Sequence, residues 1–121
     1  MEHTISPGTL IFVPLQRSGP EPHLAMALNA PDADGHFQLV GCSTKCYTPD
    51  WLIKLPSDPN LPNGHPRTKL KKDTWAVCDW TDDVSVADVC STKGHVPPTV
   101  YERVVDKINE IHRLQQNPTR F

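Results

Sequence analysis

The chain is poor in glycine and rich in proline, six against thirteen in 121 residues. That imbalance excludes long uninterrupted helices before the last quarter, because proline removes a backbone donor and clashes inside a helix. No apolar run approaches the roughly 20 residues that span a bilayer, and the first residues lack the basic and apolar regions of a secretory signal. The expectation is a cytoplasmic protein without a membrane segment. Neither charge is in excess: 12 Lys and Arg face 14 Asp and Glu, a net charge of -2 with histidine neutral. A general polyanion binder is thereby excluded, and any nucleic-acid interface has to be a local patch. Internal repeats and low-complexity tracts are absent. Cys42 and Cys46 form a C-x3-C pair, but no second tight pair or nearby histidine completes a tetrahedral zinc set with them. Cys78 reads as a small core residue, Cys90 is the fourth cysteine, and reduced thiols fit the expected compartment.

What is present suits one core and one domain over residues 1–121. Residues 9–15 are short, β-branched and aromatic, and predict a first strand. Turn formers fill 16–22, and residues 23–28 run apolar as a second strand. The segment 29–35, NAPDADG, is a turn. Strands are expected at 37–44 and 51–55, with a long exposed loop over 56–66. An apolar run over 74–80 predicts a fifth strand, and 84–89 alternates with period two as a weaker sixth. Gly94 to Pro98 then breaks the sheet. Thr99 and Glu102 match a capping box, and Tyr101, Val104, Val105, Ile108, Ile111 and Leu114 recur at helical spacing until Asn117-Pro118 ends the stripe. Five to six strands and one amphipathic terminal helix make an α+β chain whose small sheet can curl into a barrel.

Two features carry chemistry. His65-Pro-Arg67-Thr-Lys69-Leu-Lys71-Lys72 is a basic patch, readable as an RNA surface or as a solvated loop. Asp79 closes the apolar run Thr74-Trp75-Ala-Val77-Cys78, where a rigid strand brings a carboxylate to solvent; its plainer reading is a turn acid. Trp75 and Trp80 are an odd number of residues apart, so in a regular strand they face opposite ways. One then packs in the core while the other is free to stack on an unpaired base.

The ordered set Pro7-Gly8-Thr-Leu-Ile-Phe, Val40-Gly-Cys-Ser43-Thr44, Leu70-Lys-Lys-Asp73-Thr74 and Val77-Cys78-Asp79, followed by a terminal helix, resembles the MazF/PemK (Kid-type) toxins of type II toxin–antitoxin systems. The resemblance covers nearly the whole chain. It implies an SH3-like barrel of mostly antiparallel strands, usually a homodimer, that cleaves single-stranded RNA without metal or cofactor and is restrained by a cognate antitoxin. In such enzymes the ribose 2'-hydroxyl attacks the neighbouring phosphorus, which needs a base, an acid and cations or donors for the crowded phosphorane.

The resemblance makes Asp79 the acid at the end of the fifth strand, as base or RNA-positioning group, and Thr44 the hydroxyl that donates to phosphate. The family's Arg-Pro pair is replaced by Pro22-His23 or His23-Leu24, and Val77 stands where some members carry a second arginine. His23 titrates near neutral pH and can exchange a proton, and Arg17 or Lys45 can supply the fixed cation. His23, Thr44 and Asp79 are thus the expected catalytic residues. Arg17, Ser43, Lys45, Arg67, Lys69 and Trp80 are the expected RNA contacts. The missing arginines keep open a second function, a degenerate barrel that binds RNA or a protein partner without cleaving.

Overall fold

The computed structural model describes residues 4–15, 19–46 and 49–116. Six strands and one helix follow in chain order: β1 (Thr9–Leu15), β2 (Gly19–Ala27), β3 (His36–Ser43), β4 (Leu52–Leu55), β5 (Thr74–Ser85), β6 (Ser91–His95) and α1 (Pro98–Gln116). The strands form one curled antiparallel sheet in the order β4-β5-β3-β2-β1-β6. This is the expected α+β small barrel with its terminal helix. No helix among the described residues is long and apolar enough to cross a membrane.

The sheet is apolar on both faces, and strand alternation sorts the side chains. Leu10 lies opposite Met26, and Met26 opposite Val40, so these side chains stack on the face that α1 covers with Val104, Ile108 and Ile111. Ile11, Val13, Ala25, Ala27, Phe37 and Leu39 fill the other face, closed by Ile5 and Val89. Burying each large aliphatic side chain contributes about 1.5–3 kcal/mol. The Tyr101 hydroxyl ties α1 to the sheet by donating to the Leu28 carbonyl.

Four elements differ from expectation. β2 starts at Gly19, inside the run of turn formers, because Gly19 and Pro22 pair with Leu15 and Pro14 of β1. The run over 74–80 and the weaker strand at 84–89 are largely one strand, β5, which ends at Ser85 and passes into a 3-10 turn at Val86–Asp88. Asp82 and Thr81, which break the apolar pattern, pair with Leu39 and Val40, while Cys42 pairs with Ala76. Residues 77–80 therefore bulge out of the β3 ladder, and a bulge of this kind bends a strand and shifts its period.

The sixth strand is instead Ser91–His95, which runs into the break expected from Gly94. Polar Ser-Thr-Lys-Gly-His carries no apolar alternation, and it is a strand because it pairs along the edge of β1. The helix begins at Pro98, whose fixed φ and missing amide suit the first helical position. The amides of Val100 and Tyr101 both donate to the Pro97 carbonyl. Thr99 lies inside the first turn, so no capping box opens the helix. Asn117 and Pro118 fall outside the described residues.

The loop after β4 is not simply exposed. Thr68 is fully buried; its hydroxyl donates to the Pro56 carbonyl at 2.7 Å and accepts from the buried Leu70 amide at 3.2 Å. The His65 ring accepts from the Arg67 and Thr68 amides at 3.1 and 3.3 Å, and the His95 amide donates to the Arg67 carbonyl at 2.8 Å. The loop thus packs directly on β6 at Gly94, where a Cβ would stand 2.5 Å from the Arg67 and Thr68 carbonyl oxygens.

Thr68→Val keeps the shape but strands a carbonyl and a buried amide, so it should destabilise the fold by about 1–3 kcal/mol in denaturant unfolding; an unchanged midpoint would contradict the anchor. Cys42 and Cys78 are buried and Cys46 and Cys90 exposed, all four free. Burial pushes the Cys78 thiol up to about 12, with Lys107 opposing and Asp79 adding; burial raises Cys42 as well. An aromatic disulfide reagent at pH 8 should label two thiols in the native protein and four after unfolding. Rapid native labelling of all four would contradict this core.

Candidate functional site

His23 sits in β2 opposite Val13 of β1. Its Nε2 lies 2.6 Å from the Cys42 carbonyl oxygen on the next strand. A carbonyl can only accept, so Nε2 carries the hydrogen and the neutral ring keeps its lone pair on Nδ1. The ring is braced from the side by Trp80, with centroids 4.9 Å apart and planes at 49°. Trp80 reaches that position from the bulged part of β5 and lies against Gly41, where a Cβ would stand 2.3 Å from the indole. Only glycine at position 41 leaves room for that ring.

Two adjoining cavities open where β3 ends. The smaller, about 290 Å³, is lined by His23, Leu24, Cys42, Ser43, Thr44, Lys45 and Thr74. The Lys45 amide donates to the Ser43 hydroxyl at 3.0 Å and so shapes the turn that presents Thr44 and Lys45. The larger, about 880 Å³, shares Leu24, Thr44 and Thr74 with it and adds Phe12, Asn63, Leu70 and the lysines 69, 71, 72 and 93. Alternation puts His23 and Leu24 on opposite faces of β2. The imidazole and the lysine-lined cavity therefore meet around the strand end.

Lys45, Lys69, Lys71, Lys72 and Lys93 line these cavities, and among the described residues none of them makes an ion pair. Unpaired ammonium groups crowded into one region repel each other and attract a polyanion. Lys69 also has a left-handed backbone, φ 63°, a conformation that costs a non-glycine residue of order 1 kcal/mol and persists where surrounding structure imposes it. The imposed contacts are those of the loop: the Lys69 amide donates to the His65 carbonyl at 2.8 Å.

Of the residues expected from the sequence, His23, Ser43, Thr44, Lys45 and Lys69 come together on these two cavities. Asp79 is exposed and lines neither. Arg67 is exposed as well and meets its neighbours through its main chain. Trp80 lines neither cavity but flanks His23. Arg17 lies outside the described residues. The structure adds Phe12, Asn63, Lys71, Lys72, Thr74 and Lys93. Lys71 and Lys72 stand in the basic run, whereas Lys93 had no signal because its strand is polar throughout.

This arrangement can hold an anionic chain at the lysines and place one of its phosphates near a hydroxyl donor and an oriented imidazole. No protein-family model and no curated protein sequence matches the chain. Solved structures do. MazF (Form-I) from Deinococcus radiodurans superposes with a TM-score of 0.72 at 11% identity, over 93% of this chain and 99% of that one. The MazE-MazF complex (Form-II) from the same organism gives 0.68 at 11% identity, over 92% and 97%. The Mycobacterium tuberculosis toxin MazF-mt6 gives 0.65 at 10% identity, over 87% and 96%. At identities this low the likeness is one of fold, and the fold of the chain is that of the MazF toxins.

Proposed function

We propose that the chain is the toxin of a toxin–antitoxin pair and cleaves single-stranded RNA without a metal, His23 acting as the base. The observation that carries this reading is the junction of the His23 and Thr44 cavity with a second cavity ringed by unpaired lysines. RNA lies along the lysines, and the scissile phosphate sits at Thr44. The 2'-hydroxyl proton passes to Nδ1 of His23 as its oxygen attacks phosphorus. The Thr44 hydroxyl donates to a non-bridging oxygen, Lys45 offsets the growing negative charge, and its ammonium protonates the departing 5'-oxygen. Trp80 and the Cys42 carbonyl keep the imidazole in one orientation. Asp79 stands outside the cavities, so this scheme gives it no part in making or breaking bonds.

Independence from metal and the homodimer rest on the sequence resemblance, and the cytoplasmic location on the absence of signal-like and membrane-length apolar segments in the sequence. An antitoxin partner has further support in the solved MazE-MazF complexes that share the fold. A second reading, binding of RNA without cleavage, is favoured by one observation: among the described residues no arginine lines either cavity.

Incubation of the purified protein with single-stranded RNA in EDTA separates the two. Cleavage should yield 2',3'-cyclic phosphate ends. His23→Ala should slow it by about 10²–10⁴-fold, the usual contribution of a general base, while Asp79→Asn stays within a few-fold of the unaltered protein. Tight binding with no products would select the second reading. Neither binding nor cleavage, or a His23→Ala protein as active as the original, would overturn the first.

A further inference from the structure

The larger cavity is built for more than phosphate. A track for the RNA backbone needs cations and amide donors, yet this cavity has the aromatic ring of Phe12 in its wall together with Leu24 and Leu70. The Phe12 main chain is held on both sides, paired with Leu24 of β2 and Ser91 of β6, and its carbonyl accepts from the Cys90 amide at 2.8 Å. The side chain is only half-buried. A ring fixed by strands on both flanks and left partly open is a platform with little ordering entropy left to lose on binding.

Lys93 completes the platform. Thr9 pairs with His95 and Ile11 with Thr92, so β6 takes three steps where β1 takes two. Such a bulge re-aims a side chain, and the Lys93 ammonium stands 6.0 Å from the Phe12 ring centroid. A purely apolar ligand would gain nothing from the four lysines around this cavity, and a bare phosphate nothing from the ring. A flat aromatic group joined to phosphates uses both.

We propose that Phe12 and Lys93 form a stacking subsite for one unpaired nucleobase of the RNA, next to the nucleotide whose phosphate sits at Thr44. The inference rests on the RNA reading given above and adds to it a place and a chemistry for one base. Stacking on an aromatic ring tolerates any base, because every base has a π-face. The subsite should therefore demand that a base be present while discriminating weakly among the four.

The test uses RNA carrying a 2'-deoxy nucleotide at the cleavage position, which removes the attacking hydroxyl, and a series of such RNAs each lacking one base. With the unaltered protein, affinity should fall at least about fivefold when one particular base beside the cleavage position is removed. Phe12→Ala should lose a similar factor on the intact RNA and lose nothing more on the RNA that lacks that base, the non-additivity of two groups in contact. Phe12→Leu, which keeps apolar bulk without a flat face, should behave like Phe12→Ala, and Phe12→Trp should bind as well as the original. Binding and cleavage that persist while the Phe12 and base-removal losses add at every position would overturn the subsite alone. Failure of the unaltered protein to bind any RNA would overturn the RNA reading and the subsite with it.

Discussion

The buried hydroxyl of Thr68 holds the part of the molecule on which the candidate site depends. Through it the Pro56 carbonyl and the Leu70 amide are joined, and Arg67 and Thr68 between them are pressed onto Gly94 of β6. The loop would otherwise be a proline-rich excursion with lysines at its end. Anchored, it delivers Lys69, Lys71 and Lys72 to one cavity opposite Lys93. The repulsion among these ammonium groups has to be balanced by such contacts until an anion arrives, which is how binding strength and loop stability become linked.

The remaining constraint is the bulge in β5. By moving residues 77–80 out of register it turns Trp80 onto Gly41 and against the His23 ring. Acids gather elsewhere: Asp32 and Asp83 lie with His36 at the turn between β2 and β3, the opposite end of that hairpin from His23 and Thr44. The backbone amide of His36 holds the Asp32 carboxyl below its usual range, partial desolvation opposing and the Asp34 amide adding, so Asp32 keeps its charge to lower pH than an ordinary carboxylate. A chain of net charge -2 is thereby polarised, and a polyanion approaching it is turned toward the lysines.

Much of the fold was legible because its core obeys simple periods. Ile11, Val13 and Leu15 recur every second residue in one core with Leu10 facing the other, and Val104, Ile108 and Ile111 recur at helical spacing. What stayed hidden depends on partners distant in sequence. Ser91–His95 is a strand only by pairing with β1, and Thr81 and Asp82 continue β5 only by pairing with β3. The site divides in the same way. Thr44, Lys45 and Lys69 sit in local sequence signals, and His23 could be picked out by its place in the ordered motifs. Lys93, Phe12 and the Gly41 clearance for Trp80 become visible only when strands from separate parts of the chain are set side by side.

On the proposed function, one groove running from the lysine-ringed cavity around the strand end to His23 takes a single RNA strand. The most direct measurement is an NMR map of the isotope-labelled protein titrated with a short RNA blocked at its cleavage position. Shifts should converge on the Thr44 and Lys45 amides, the His23 ring and the ammonium groups of Lys69, Lys71, Lys72 and Lys93, with the turn around Asp32 unmoved. Shifts centred on the acidic turn or on the exposed face of α1, with His23 and the lysines silent, would contradict it.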